Sequence, residues 1–299
     1  MKSVLERAAG WWFPQVPRAR VAWVRVLIGT VAAVDALFLL NAPRHRAGTP
    51  EFYTPVALAR LLQLPAPSQV TAYLVLLGIL LGLAGLVLGG RTRTPAWVQH
   101  AGGLLLGVSY LIWCLWGMSF GYVAHDHMAI IVAVLLLPTA GTSRYADTHL
   151  PSPAAGWALR MVQVFAVLTY VGSVLAKAVL NDWNLMRWAN SGTLVWAFLR
   201  RPNPINELLV EQALLVRASQ WGALALELAA PLVFLVRERW RWLVVLFFVG
   251  FHLSTFVLLG IHFLPTVICW SAFLPWERWL GSGSGHALWK RRRPVVQVC

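Results

Sequence analysis

The chain has 299 residues, 59% of them hydrophobic and 12% charged, with a mean hydropathy of +0.65. Soluble domains carry about 25% charged and 45–50% apolar residues, so these figures argue against a water-soluble enzyme and equally against a disordered or fibrous chain. The 25 basic and 11 acidic residues leave a net charge of +14. The basic residues sit in short connections and tails between apolar runs. There they read as orientation signals and lipid-headgroup contacts, not as a nucleic-acid surface.

In chain order, residues 1–20 place Trp11, Trp12 and Phe13 beside Arg18 and Arg20, which reads as an interfacial N-terminal segment. The charged start, interrupted by Pro14 and Pro17, does not resemble a cleavable signal peptide. A membrane span needs about 20 mostly apolar residues. Segments 21–41, 70–90 and 97–118 qualify, 123–138 is short, and 157–179 precedes a long polar loop. Segments 217–236 and 240–261 follow, and 263–280 is a short last run broken by Pro265 and Pro275. The expectation is an all-α, polytopic transmembrane helical bundle of about eight spans over 21–280, the fourth and eighth being the weakest. Gly78, Gly82, Gly85 and Gly89 share one face of the second span and predict close helix contact there. Residues 281–299, Gly/Ser-rich and then basic at 290–293, read as a flexible basic tail drawn to anionic lipid.

Lys and Arg in the connections set the expected orientation. With the N-terminus cytoplasmic, the inner segments hold Arg91, Arg93, Arg144, Arg237, Arg239, Arg241 and the run 290–293. The outer ones hold Arg44, Arg46, Arg60, Arg187, Arg200 and Arg201. The bias puts both termini in the cytoplasm, in a plasma membrane protein.

Ionisable side chains in lipid are expensive, so each is a functional-site candidate. Arg25 lies near the inner surface, where it is expected to snorkel. Asp35 is about 15 Å further along, in the outer half. His125, Asp126 and His127 open the fourth span at its outer end, and Lys177 nears the outer end of the fifth. Thr169, Ser173 and Lys177 are spaced by four and form one polar stripe. Glu227 and His252 fall mid-span, with His262 at the outer end of the seventh. Most of these groups fall in the outer half and are expected to line one cavity opening outward. Plainer alternatives are packing roles for the histidines, pairing of Asp35 and Glu227 with Arg on neighbouring helices, and snorkelling of Lys177.

Lys177 stands out because Lys2 and Lys290 are the only other lysines and both lie in the tails. Arg does not lose its proton in proteins, whereas a desolvated Lys does. Lys177 is therefore a candidate general base or proton carrier. Cys114, Cys269 and Cys299 show no metal-type or C-x-x-C spacing. His125 and His127 are two residues apart and point to different sides of a helix, and no H-E-x-x-H is present, so no metal site is expected.

The run 169–183, from Thr169 through Lys177 to Asp182 and Trp183, resembles the Lys-containing helix end and following Asp-Trp of the horizontally transferred transmembrane (HTTM) domain family. Vitamin K-dependent γ-glutamyl carboxylases belong to that family. Asp126-His127-Met128-Ala129 resembles their Asn-His segment, and Gly250-Phe251-His252-Leu253-Ser254 their Phe-His segment. Arg25 to Gly29 with Asp35, and Ile261 to Pro265, resemble the family's first and late helices. The resemblance covers roughly 20–280 and implies an HTTM-like transmembrane domain.

The resemblance also implies a mechanism. A Lys amine deprotonates a reduced naphthoquinone (vitamin K-like), which reacts with O2 to give a strong base and finally the epoxide. In the carboxylases that base removes a proton from Glu so that CO2, supplied as bicarbonate, adds. The base role falls to Lys177, with His127 and His252 holding quinone oxygens. His125, Asp126, Trp183 and His262 would contact the quinone, and Asp35, Glu227, Ser173 and Asp182 would support the site. The implied partners are membrane lipid, a membrane quinone and a secreted peptide substrate, at a site facing outside. Asp126 replaces the carboxylases' Asn, and Lys177 stands alone where they have a Lys pair, so quinone binding is the better supported half of the expectation. The alternatives are a non-enzymatic membrane partner for maturation, export or immunity of a secreted peptide, and a small transporter. Catalysis requires that Lys177 be shielded from water and close to both imidazoles.

Overall fold

A computed structural model describes residues 3–122 and 125–280; the tail 281–299, with Cys299, lies outside them. Helices dominate the described residues, and the single strand pairing joins Val16–Pro17 to Pro151–Ser152. Helix α1 (Val4–Trp12) starts at a capping box: the Ser3 hydroxyl accepts from the Glu6 amide, and the Glu6 carboxylate accepts from the Ser3 amide. It buries none of its residues and lies on the surface. It is held there by Arg160, whose Nε donates to the Trp11 carbonyl at 3.0 Å and whose guanidinium lies 4.5 Å from the Trp11 ring.

The bundle proper consists of α2 (Arg18–Val34), α3 (Gln69–Gly89), α4 (Ala96–Met118), α5 (Met128–Leu136), α6 (Pro153–Val179), α7 (Ala213–Ala229), α8 (Arg241–Leu259) and α9 (Leu264–Cys269). Six helices are long and apolar enough to cross a membrane: Arg18–His45, Gln69–Gly89, Ala96–Met118, Pro153–Val179, Ala213–Leu235 and Glu238–Leu259. The segments expected as the fourth and eighth spans are the shorter apolar helices His125–Ala140 and Leu264–Phe273. At 1.5 Å per residue they reach only about 24 Å or less, short of the ~30 Å hydrocarbon core. The chain is thus a helical membrane bundle of six long and two short apolar helices among the described residues.

The glycine stripe acts as its spacing predicts. A Cβ at Gly82 would meet the Leu106 backbone at 2.5 Å, and one at Gly85 would meet the Gly102 Cα at 2.8 Å. The α3 and α4 backbones touch, and van der Waals contact of this kind is what joins helices in lipid. The long connection between α6 and α7, expected as a polar loop, is instead folded into Leu185–Ala189, Thr193–Arg200 and Pro204–Val210. Gln220 from α7 fastens it, accepting from the Leu194 amide at 3.1 Å and donating to Ser191 Oγ at 3.1 Å. The Asn203 side chain donates to the Leu258 carbonyl at the end of α8 at 3.0 Å.

Arg25 departs from its expected role. It is 3% exposed, and its guanidinium donates to the carbonyls of Leu137 at 2.6 Å and Gly141 at 2.9 Å. The short helix after His125 ends inside the bundle, so its free carbonyls need a donor and Arg25 provides it. Arg20 similarly holds Glu277 through two bonds of 2.7 and 2.9 Å and Glu238 through one of 3.0 Å, which ties Trp276–Leu280 to the start of α2.

Candidate functional site

The sequence candidates separate into three groups. The first surrounds Lys177 in the last turn of α6. Its Nζ donates to Glu227 Oε2 at 2.6 Å, Glu227 Oε1 at 2.8 Å and Ser173 Oγ at 2.6 Å. The Ser173 hydroxyl donates in turn to Glu227 Oε1 at 3.1 Å, and the amine lies 4.8 Å from the centre of the Trp188 ring. The Lys177 and Glu227 side chains are 16% and 11% exposed. Lys177 is therefore one half of an ion pair, not the isolated amine that the sequence suggested. Thr169, Ser173 and Lys177 do share a face, and all three line a cavity of about 500 Å³ together with His125, Met128 and Trp188.

The second group is closed. His127 Nε2 lies 3.1 Å from both Asp35 oxygens, and its Nδ1 lies 3.2 Å from Asp126 Oδ1. The Tyr110 hydroxyl donates to Asp35 Oδ2 at 2.9 Å. Carboxylates only accept, so a ring protonated on both nitrogens satisfies this arrangement in full. Asp35 opens a π-helical turn, Asp35–Leu39, in which the Leu40 amide donates to the Asp35 carbonyl at 2.7 Å. That extra residue widens the end of α2 and turns its carboxylate inward, the kind of local distortion often found at functional sites. Asp35, Asp126, His127 and His262 line a second, polar cavity of about 350 Å³, with Arg46 and Arg201 also in its wall.

The third group joins α6, α8 and the segment after α9. The Trp270 indole donates to the Tyr170 hydroxyl at 3.0 Å, and that hydroxyl lies 2.6 Å from His252 Nε2. The phenol oxygen thus accepts from the indole and shares a second hydrogen bond with His252 Nε2. His252 Nδ1 is buried without a partner among the described residues, as is Nδ1 of His262.

The structure thus brings Lys177, Ser173, Glu227 and His125 together, and separately Asp35, Asp126, His127 and His262. His252 belongs to neither cavity wall and His127 lines the other cavity, so the two imidazoles expected beside Lys177 are not there; Glu227 and Ser173 bond its amine instead, and His125 is the histidine that shares its cavity wall. Asp182 and Trp183 sit outside all three groups, in a turn with φ of 55° and 62°. Asp182 pairs with exposed Arg187 at 2.6 Å, and Trp183 is 71% exposed. The two left-handed residues carry both side chains away from Lys177, and the tryptophan over the amine is Trp188. Sequence reasoning passed over Tyr110, Tyr170, Trp188 and Trp270. The only available signal was that each combines an apolar ring with one polar atom, which finds a partner when buried. Among the described residues, no three His, Cys, Asp or Glu side chains converge as metal ligands.

No family model, no curated protein and no solved structure matches the chain. The chemistry of the site is therefore read from its own geometry.

Proposed function

We propose that the chain is an integral membrane enzyme of HTTM type whose Lys177–Glu227 pair takes a hydroxyl proton from a membrane-soluble quinol, a reduced naphthoquinone by the resemblance above. One observation carries the reading: an amine paired with a carboxylate and a hydroxyl stands in the wall of a largely apolar cavity of about 500 Å³. That volume falls in the range of roughly 300–1,000 Å³ typical of small-ligand sites. The donor set suits a flat apolar ring with polar edges. Met128 and Trp188 supply apolar walls, while Lys177, Ser173 and His125 supply the polar contacts.

Glu227 is the group that lets Lys177 act. A lone buried ammonium has no proton to receive, but an ammonium–carboxylate pair accepts one on Glu227 or redistributes it through Lys177 Nζ at 2.6 Å. Ser173 fixes both partners by bonding each. Quinol epoxidation would balance as quinol + O2 → quinone epoxide + H2O, the bound quinol supplying four electrons in all, two on becoming the quinone and two at the epoxidised C=C bond. Carboxylation of a Glu side chain in a secreted peptide, using CO2 or bicarbonate, is the further activity that the resemblance implies. Placement in the plasma membrane, with both termini cytoplasmic and this cavity toward the outside, belongs to the same proposal and is supported by the Lys/Arg distribution.

The test uses the purified full chain in lipid nanodiscs with naphthohydroquinone, O2 and bicarbonate, and measures epoxide by mass spectrometry. Wild type is expected to form epoxide, and Lys177→Ala and Glu227→Gln to lose it. Equal epoxide from wild type and Lys177→Ala removes the catalytic role of the pair.

A further inference from the structure

The aromatic wall beside the Lys177 amine is carried by a segment with little core of its own. Trp188 lies in the five-residue helix Leu185–Ala189, between the left-handed turn at Asp182 and Trp183 and the next short helix, Thr193–Arg200. Among residues 181–200, only Ala189 and Phe198 are buried. An isolated helix of this length is unstable, so its position depends on what fastens it. Trp188 is nevertheless brought over the amine, which lies 4.8 Å from the ring centre, and lines the apolar cavity there.

The fastening comes from Gln220 on α7. This residue is 2% exposed, and a buried carboxamide must find partners for its polar atoms. It directs all three of its bonds to the one segment: Nε2 donates to the Trp188 carbonyl and, at 3.1 Å, to Ser191 Oγ, while Oε1 accepts from the Leu194 amide at 3.1 Å. The neighbouring Trp221 indole donates to Asn190 Oδ1 at 3.3 Å. Bonds to Ser191 and Leu194 alone would tie down the connection; the bond to the Trp188 carbonyl fixes the wall itself. Gln220 and Glu227 are seven residues apart on α7 and so share a face. One face of α7 therefore supplies both the carboxylate that holds Lys177 and the amide that holds Trp188.

The α6 side of the cavity leaves room beside this wall. Thr169, Gly172, Ser173 and Ala176 line it with small side chains, and a Cβ at Gly172 would meet nothing within 4 Å. We propose that Gln220 is a positioning residue that holds Trp188 as a flat wall beside Lys177, and that the cavity thereby selects planar rings over puckered ones of the same outline. The inference rests on the reading of this cavity as the quinol site and names the feature that gives the site its selectivity. A flat ring with one oxygen at the Lys177 amine runs along the indole in the offset arrangement that aromatic pairs favour. A saturated ring of the same outline is thicker and gains no such contact.

The experiment is calorimetric titration of the full chain in maltoside micelles with naphthoquinone and, separately, with its fully saturated counterpart, a decalin dione. Wild type is expected to bind the planar ring about tenfold more tightly. Gln220→Leu and Trp188→Leu are expected to bring that ratio to about one, and Trp188→Phe, which keeps an aromatic face, to retain most of it. Gly172→Leu puts its side chain into the open space and weakens both ligands. Trp183→Leu, on the exposed turn, leaves the ratio at its wild-type value. A Gln220 that only stiffens the connection lowers the melting temperature, or both affinities together, and leaves the ratio unchanged in Gln220→Leu; that result overturns the inference. A ratio near one in wild type, or undiminished binding in Gly172→Leu, overturns it as well. Trp188 and Gln220 lie on separate elements, so the ratio remains measurable if one of the two variants fails to fold. Selective binding that collapses in these variants without any epoxide sinks the quinol reaction and leaves the positioning role standing. Epoxide formation with an unchanged ratio does the reverse, and no binding of either ring by wild type overturns both.

Discussion

Helices α2 and α4 lie far deeper in the bundle than α7 and α8, with α3 intermediate. Among their most apolar windows, 50% of Arg18–His45 and 61% of Ala96–Met118 is buried, against 28% of Ala213–Leu235 and 17% of Glu238–Leu259. Small residues make the difference. Gly82 and Gly85 sit against the α4 backbone, whereas a Cβ at Gly222 or Gly250 meets nothing within 4 Å. The polar groups follow the packing. In the dense half, Asp35 and His127 are 0% and 4% exposed in their side chains and bond each other. At the edge of the looser half, Lys177 and Glu227 are also paired but more open, their side chains 16% and 11% exposed, and the cavity beside Lys177 is largely apolar where the one at Asp35 and His127 is polar. The dense half binds its polar groups to one another, and the looser half sets its pair beside a space suited to an apolar ligand, in line with the tendency of binding elements to come from less stable regions.

The contrast breaks most visibly at Lys177. Lys177→Ala and Lys177→Arg are each expected to cut turnover by about 10²–10⁴-fold, with the melting temperature shifting far less than for a change in the dense half. An Arg variant with near-normal epoxide formation sinks the proton-transfer role, since Arg keeps the charge but not the labile proton.

Asp35→Ala is the counterpart. It strands the His127 ring and the Tyr110 hydroxyl in the core, and breaking a buried pair in this way costs about 3–5 kcal/mol. Chemical unfolding in mild detergent checks it, and a stability equal to wild type means that the clamp is not structural. Next comes Gly82→Leu, which pushes α3 from the Leu106 backbone for about 1–3 kcal/mol. Gly222→Leu, in the open half, stays within about 0.5 kcal/mol. Equal losses at both glycines erase the difference in packing on which the comparison rests. The smallest effect is expected at Asp182→Ala and Trp183→Ala, both within about 0.5 kcal/mol and both with normal turnover. A large loss of turnover in Trp183→Ala brings back the quinone contact that the family resemblance assigns to it.

Much of the architecture was legible in the chain. Apolar length marked the six long helices and singled out the two short ones, because a hydrocarbon layer imposes a minimum run. Period 3.6 placed Gly78, Gly82, Gly85 and Gly89 on one face, and Thr169, Ser173 and Lys177 on another. Scarcity of lysine drew attention to Lys177. Partners were not legible. Nothing in the order of residues separates a tryptophan at 183 from one at 188. The structure does so through two left-handed residues that reverse the chain after α6. Nor does it show that Arg25 caps the carbonyls after Leu136 instead of snorkelling.

Sequence alone therefore determined which segments avoid water and which side chains share a helix face, since both follow from local composition and helical pitch. Only the tertiary structure decided that His127 and Lys177 face different cavities and that Lys177, not an arginine on a neighbouring helix, answers Glu227. Those outcomes depend on how each helix is rotated about its axis and how closely it meets its neighbours. In a lipid-embedded bundle, that is set by long-range packing of small residues, which no local pattern encodes.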